Sequence, residues 1–139
     1  VVRRPTGGGL VRHGADLTVS LCVREEHSRF AGSVSESYRA VHAVLLEALA
    51  PLFPGLSFSA CAAPLKARSE RSCFEEPVAC DLEWRGAKVV GSSQRRKNGR
   101  LLHQISVQLP GDVRAMSVRI ADALRDGWEL NLDAAGVTA

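Results

Sequence analysis

Leu17, Val19, Leu21 and Val23 alternate with Thr18, Ser20 and Cys22. That period of two predicts a strand with one buried face. Ser33 and Glu36 then form a capping box ahead of Tyr38, Val41, Val44, Leu45, Ala48, Leu49 and Leu52, the apolar stripe of a helix. Pro51 and Pro54-Gly55 close it. A short strand is expected over Leu56 to Ala60, and a three-stranded meander after Ser72. Its first strand, Val78 to Trp84, turns at Arg85-Gly86 into a second, Ala87 to about Gln94. Asn98-Gly99 supplies the positive φ angles of a tight hairpin. The third strand, Leu101 to Leu109, carries Leu101, His103, Ile105, Val107 and Leu109 on one face. A last helix, about Val113 to Leu132, buries Met116, Ile120, Leu124 and Trp128. Val1 to Arg4 reads as the end of a strand entering the loop Thr6-Gly7-Gly8-Gly9. The fold class is α+β, a mixed or antiparallel sheet with a β-meander packed by helices.

Composition narrows the picture without deciding it. The 139 residues, 45% apolar and 24% charged, suit one globular domain spanning 1–139. The net charge of +3 is carried by 15 Arg and 3 Lys, a balance that alone does not call for nucleic acid. Cys22, Cys61, Cys73 and Cys80 have no zinc-ligand spacing, and no metal site is expected. Their pattern suits reduced thiols in the cytoplasm. No apolar run reaches membrane-spanning length.

Three features carry candidate chemistry. Successive glycines at 7, 8 and 9 expose backbone N–H groups that hold carboxylates or phosphates, with Arg3 and Arg4 beside them. The competing reading is a turn next to solvated arginines. Cys73 lies near Arg71 in a polar stretch, a setting that can activate a thiol, although most single cysteines are small core residues. Lys88 follows the Arg85-Gly86 turn and is either a fixed charge for a carbonyl or phosphate oxygen or an exposed hairpin lysine. His103 reads as a core histidine, and Cys22, Cys61 and Cys80 as structural. Arg95, Arg96, Lys97 and Arg100 cluster at the hairpin tip, where solvation or an acidic partner are the two readings.

Together, two of these segments resemble a known family. "RRPTGGGLVRHGADLTVS" (3–20) is similar to the glycine-loop signature of the biotin/lipoate protein ligase catalytic domains. "CFEEPVACDLEWRGAKVVGSSQRR" with the later His103-Gln104 pair resembles their second signature, Gly-x-Lys-x-x-Gly-Ser. The resemblance implies a biotin/lipoate ligase-like fold, truncated at its N-terminus relative to the family. It implies that Arg3, Arg4, Thr6, Gly7, Gly8, Gly9, His13, Gly91 and Ser92 line an acyl or acyl-adenylate site, and that Lys88 contacts the acyl carbonyl. Cys73-Phe74, 15 residues before Lys88, resembles the cysteine-dependent octanoyltransferase branch, in which the cysteine carries an acyl thioester. Ile105 stands where the family has glycine.

The activity so implied is attachment of an octanoyl or lipoyl group to a lysine of a lipoyl-domain carrier. The carriers would be 2-oxoacid dehydrogenase E2 subunits or the glycine cleavage H protein, with acyl carrier protein as donor. No covalently bound cofactor, nucleic acid or membrane enters. An ATP-dependent lipoate-protein ligase, using ATP and Mg, and a non-catalytic acyl- or carrier-binding paralogue are the alternatives.

Overall fold

A computed structural model describes residues 4–6, 11, 13–60 and 80–128. The chain order is β1 (Leu17–Arg24), α1 (Val34–Leu49), β2 (Ser57–Phe58), β3 (Leu82–Trp84), β4 (Ala87–Lys97), β5 (Arg100–Val107) and α2 (Val113–Trp128). The strands form one sheet in the order β1-β5-β4-β3-β2, and every neighbouring pair is antiparallel. The α+β reading therefore holds, with an antiparallel sheet.

Register divides the sheet into two chemically different faces. Leu17, Val19, Leu21 and Val23 of β1 lie opposite Val107, Ile105, His103 and Leu101 of β5. These in turn face Val90, Ser92, Gln94 and Arg96 of β4. The apolar members of this set join Val41, Leu45 and Leu49 of α1 and Met116, Ile120, Leu124 and Trp128 of α2 in one buried cluster. Ile105 is 1% exposed in that core. The other face carries Thr18, Ser20, Cys22 and Arg24 beside Ser106, Gln104, Leu102 and Arg100, then Gly91, Ser93, Arg95 and Lys97. This outer face is almost entirely polar, and Arg4 and Thr6 lie against it.

The capping box forms as its spacing predicts: the Glu36 N–H donates to Ser33 Oγ at 3.2 Å, and the Ser33 N–H to Glu36 Oε2 at 2.7 Å. Asn98 and Gly99 adopt φ of 53° and 70°, and Arg85 and Gly86 adopt 54° and 76°, so both hairpins use left-handed turns that match strand twist.

Several boundaries differ from expectation. The meander's first strand begins at Leu82, because Cys80 takes φ of 94° and makes a corner there instead of a ladder position. The second strand continues to Lys97, since pairing with β5 persists to the turn. The third ends at Val107, and β2 keeps only Ser57–Phe58 of its expected span. Leu52 lies beyond α1 and is 42% exposed. Cys22 is exposed on the outer face and has no core role. Residues 1–3, 61–79 and 129–132, which include the expected N-terminal strand end and the last turn of the final helix, lie outside the described residues.

Two histidines lie within the core, both with 0% exposure. Gln94 Nε2 donates to His103 Nδ1 at 3.1 Å while Gln94 Oε1 accepts from Arg96 Nε at 3.1 Å. The His103 proton therefore sits on Nε2, which has no hydrogen-bond partner among the described residues. Burial, reinforced by the nearby His42, pushes His103 down to about 3. Burial also lowers His42, against the opposing pull of the Cys80 carbonyl and Asp81.

The linkage has a definite sign. Both folded-state values lie below the unfolded one, so the contribution to stability is complete above about pH 6.5. It is lost as pH falls, because the unfolded chain then binds protons that the folded core refuses. His103 should remove about 1.4 kcal/mol per pH unit between about pH 6 and its folded value of about 3, and His42 acts in the same direction. Urea midpoints followed by circular dichroism at decreasing pH will measure this slope. In His103→Leu it should become shallower.

Candidate active site

The β3–β4 hairpin decides where Lys88 points. Glu83 pairs with Lys88, but Leu82 pairs with Val90, so one extra residue of β4 is accommodated between them. Such a bulge resets side-chain alternation. Val89 and Val90 are consequently both buried, at 6% and 0% exposure, and Lys88 shares the outer face with Gly91. An unbulged strand would put Lys88 on the same face as Val90, in the hydrophobic cluster.

Lys88 is not an exposed hairpin lysine. Its Nζ lies 2.8 Å from Asp81 Oδ2, and the two side chains are 6% and 3% exposed. Gly91 makes room for this pair. A Cβ there would meet Lys88 Cε at 2.6 Å, Nζ at 3.0 Å and Asp81 Oδ1 at 3.7 Å. Because the close atoms belong to the end of a flexible side chain, Gly91→Ala should fold normally, with thermal unfolding near that of the parent. It should nevertheless displace the ammonium. A misplacement of about 1 Å costs a reaction about 10²-fold, so any turnover that uses this ammonium should fall by about tenfold or more. Loss of fold together with activity would show that Gly91 serves packing alone.

Asp81 is held from the opposite side of the sheet. His42 Nδ1–H donates to the Cys80 carbonyl, and Ser92 Oγ–H donates to His42 Nε2 at 2.7 Å. This fixes the neutral tautomer and pins the Cys80 corner from which Asp81 projects. Ser92 therefore faces α1 and not the surface shared by Gly91 and Thr6. Its side chain supports the corner instead of lining the outer face. The Cys80 thiol is pushed up, chiefly by burial, which suits a protonated, unreactive group.

The N-terminal strap is tied to the same outer face at two places. Thr6 Oγ1 donates to Gln104 Oε1 at 2.7 Å and accepts from Ser93 Oγ, also at 2.7 Å. Ser93 Oγ in turn accepts from Arg4 Nη1 at 3.2 Å, and Arg95 Nη1 donates to the Pro5 carbonyl at 3.1 Å. Farther along, Asp16 accepts from the Gly14 N–H at 2.8 Å, from His13 Nδ1 at 2.7 Å and from Ser106 Oγ at 3.2 Å. Burial raises the Asp16 carboxyl, but the Gly14 and His13 contacts outweigh it and hold it below its usual value. Ser106 pairs directly with Gly91. Thr6 and Asp16, which flank the glycine segment in sequence, are thus both anchored on the face that carries Gly91.

Arg4, Thr6, Lys88 and Gly91 accordingly share one face. His13 is at its margin, with its side chain 53% exposed. Arg3, Gly7, Gly8, Gly9 and Cys73 lie outside the described residues. Asp81, His42, Ser93, Gln104 and Asp16 were not singled out individually as site residues from the sequence. The available signal was a polar residue breaking an apolar pattern: His42 falls one turn after Tyr38 on the α1 stripe. Among the described residues no cluster of three metal-ligating side chains occurs, and no helix is long and apolar enough to cross a membrane.

Arg4 and Thr6 bonded to β4 and β5, and a buried Lys88 on the bulged β3–β4 hairpin, bring described parts of the two sequence signatures to one face of the sheet. The family profile described as the lipoyl protein ligase A/B catalytic domain matches residues 1–127, and the chain belongs to that family. Among individual relatives, the chain is 36% identical to octanoyltransferase LipM of Kyrpidia tusciae, over 92% of this chain and 51% of that protein. It is 38% identical to octanoyltransferase LipM of Halalkalibacterium halodurans and 35% identical to that of Bacillus subtilis, each over 80% of this chain and 42% of the relative. The chain therefore spans about half, or less, of the length of these curated relatives.

Proposed function

We propose that this chain belongs to a cysteine-dependent octanoyltransferase acting on lipoyl-domain lysines. The observation that supports it most is the Lys88 ammonium, held 2.8 Å from Asp81 in a nearly water-free setting over Gly91. There a fixed positive charge acts on a developing oxyanion far more strongly than in water. Arg4, Thr6 and the glycine segment line the acyl site.

In the first step the Cys73 thiolate attacks the thioester carbonyl of octanoyl acyl carrier protein. A new C–S bond forms, the carrier's C–S bond breaks, and the carrier thiolate leaves and takes up a proton. In the second step the uncharged amine of the acceptor lysine attacks the Cys73 thioester. The amide C–N bond forms, Cys73 leaves as thiolate, and the amine's surplus proton passes to solvent. Lys88 faces the oxyanion of both tetrahedral intermediates. The acceptors are 2-oxoacid dehydrogenase E2 subunits or the glycine cleavage H protein, no tightly bound cofactor takes part, and the reaction belongs to the cytoplasm.

The name octanoyltransferase on the relatives favours transfer over ATP-dependent ligation. Lipoyl-domain modification should proceed with octanoyl acyl carrier protein alone and fail with octanoate, ATP and Mg. The reverse pattern would establish the ligase.

A further inference from the structure

At the β4–β5 tip the outer face carries three basic residues in a row across three strands. Arg24 of β1 is directly opposite Arg100 of β5, which is directly opposite Lys97 of β4. Like charges in such positions disfavour the sheet locally. Little nearby relieves them. Arg24 has one exposed contact, 3.6 Å from Glu26, with the two side chains 72% and 78% exposed. Lys97 and Arg100 have no ion pair or side-chain hydrogen bond among the described residues. By contrast, the neighbouring Arg95 and Arg96 are engaged, on the Pro5 carbonyl and on Ser37, Gln94 and Glu25. The row is also held in place: the Glu25 N–H donates to the Gly99 carbonyl at 2.9 Å, tying the end of β1 to the turn.

From this row we infer that Arg24, Lys97 and Arg100 form the docking surface for the acidic carrier protein that delivers the acyl group. The inference rests on the octanoyl-transfer reading. Two observations select this occupant. The row lies on the same face as Gly91 and the strap, six positions along β4 from Gly91 to Lys97, or about 20 Å at strand rise. A donor whose acyl group rides on a long flexible arm spans that gap, whereas an acceptor lysine on a folded domain covers only a fraction of it. The row is also short, has Glu25 and Glu26 beside it and no aromatic side chain in it. A nucleic acid would want a longer basic track with stacking platforms, and a membrane surface would want apolar anchors.

The test is titration of the chain with fluorescently labelled octanoyl acyl carrier protein, comparing wild type with Lys97→Glu/Arg100→Glu. The double variant should bind about tenfold or more weakly, and wild-type binding should weaken as salt rises through about 0.05 to 0.3 M. Acylation of the chain by a short neutral octanoyl thioester should be equal in both. Unchanged carrier affinity in the variant overturns the inference. So does a loss confined to a lipoyl domain, a single-stranded RNA or anionic vesicles. Absence of acylation by the neutral thioester in wild type counts against the transfer reading, while the titration still decides the docking surface.

Discussion

Lys88→Ala should reduce octanoyl transfer by about 10²–10³-fold, the usual cost of removing one preorganised oxyanion donor. It should also destabilise the fold, because it strips the ammonium from a carboxylate that is 3% exposed. Breaking a buried pair from one side costs about 3–5 kcal/mol. The two effects separate in the double variant Lys88→Met/Asp81→Leu, where both charges leave and similar volume remains. Stability should return to within about 1–2 kcal/mol of wild type, while transfer stays at the Lys88→Ala level. Denaturant midpoints and acyl-transfer rates on the three proteins check this. Recovery of activity with stability would make the lysine a structural element only.

Cys73→Ala should abolish modification of the lipoyl domain, because the proposed two-step route has no other nucleophile. Cys80→Ala should keep most of it. The neighbouring cysteine is held with a raised pKa by burial, and its functional contact with the rest of the site is its backbone carbonyl, on which His42 acts. Rates measured with octanoyl acyl carrier protein distinguish the two thiols directly. Equal losses in both variants would contradict the division of roles.

How much of this was visible in the sequence depends on the range of the interaction. The capping box at Ser33 and Glu36 and the Asn98-Gly99 turn are local, and both form as their spacing implies. The core faces of β5 and α2 were equally legible, since periodicity reports one-sided burial. The β4 bulge was not: one inserted position opposite Leu82 and Glu83 is a property of pairing, not of composition. That bulge turns an apparent hairpin lysine into a buried ion pair. Asp81 escaped notice because its partner is fixed only when the β3–β4 hairpin closes. His42 did so because its partners, Cys80 and Ser92, are 38 and 50 residues away in the chain. Ser92, adjacent to a site glycine in sequence, faces the opposite side because alternate strand residues do.

The most direct measurement is the intact mass of the chain after incubation with octanoyl acyl carrier protein, without ATP, followed by peptide mapping. The account predicts one octanoyl adduct, on Cys73, released by hydroxylamine as a thioester and absent in Cys73→Ala. No adduct, an adduct on Cys80, or an adduct that forms only with ATP would contradict it.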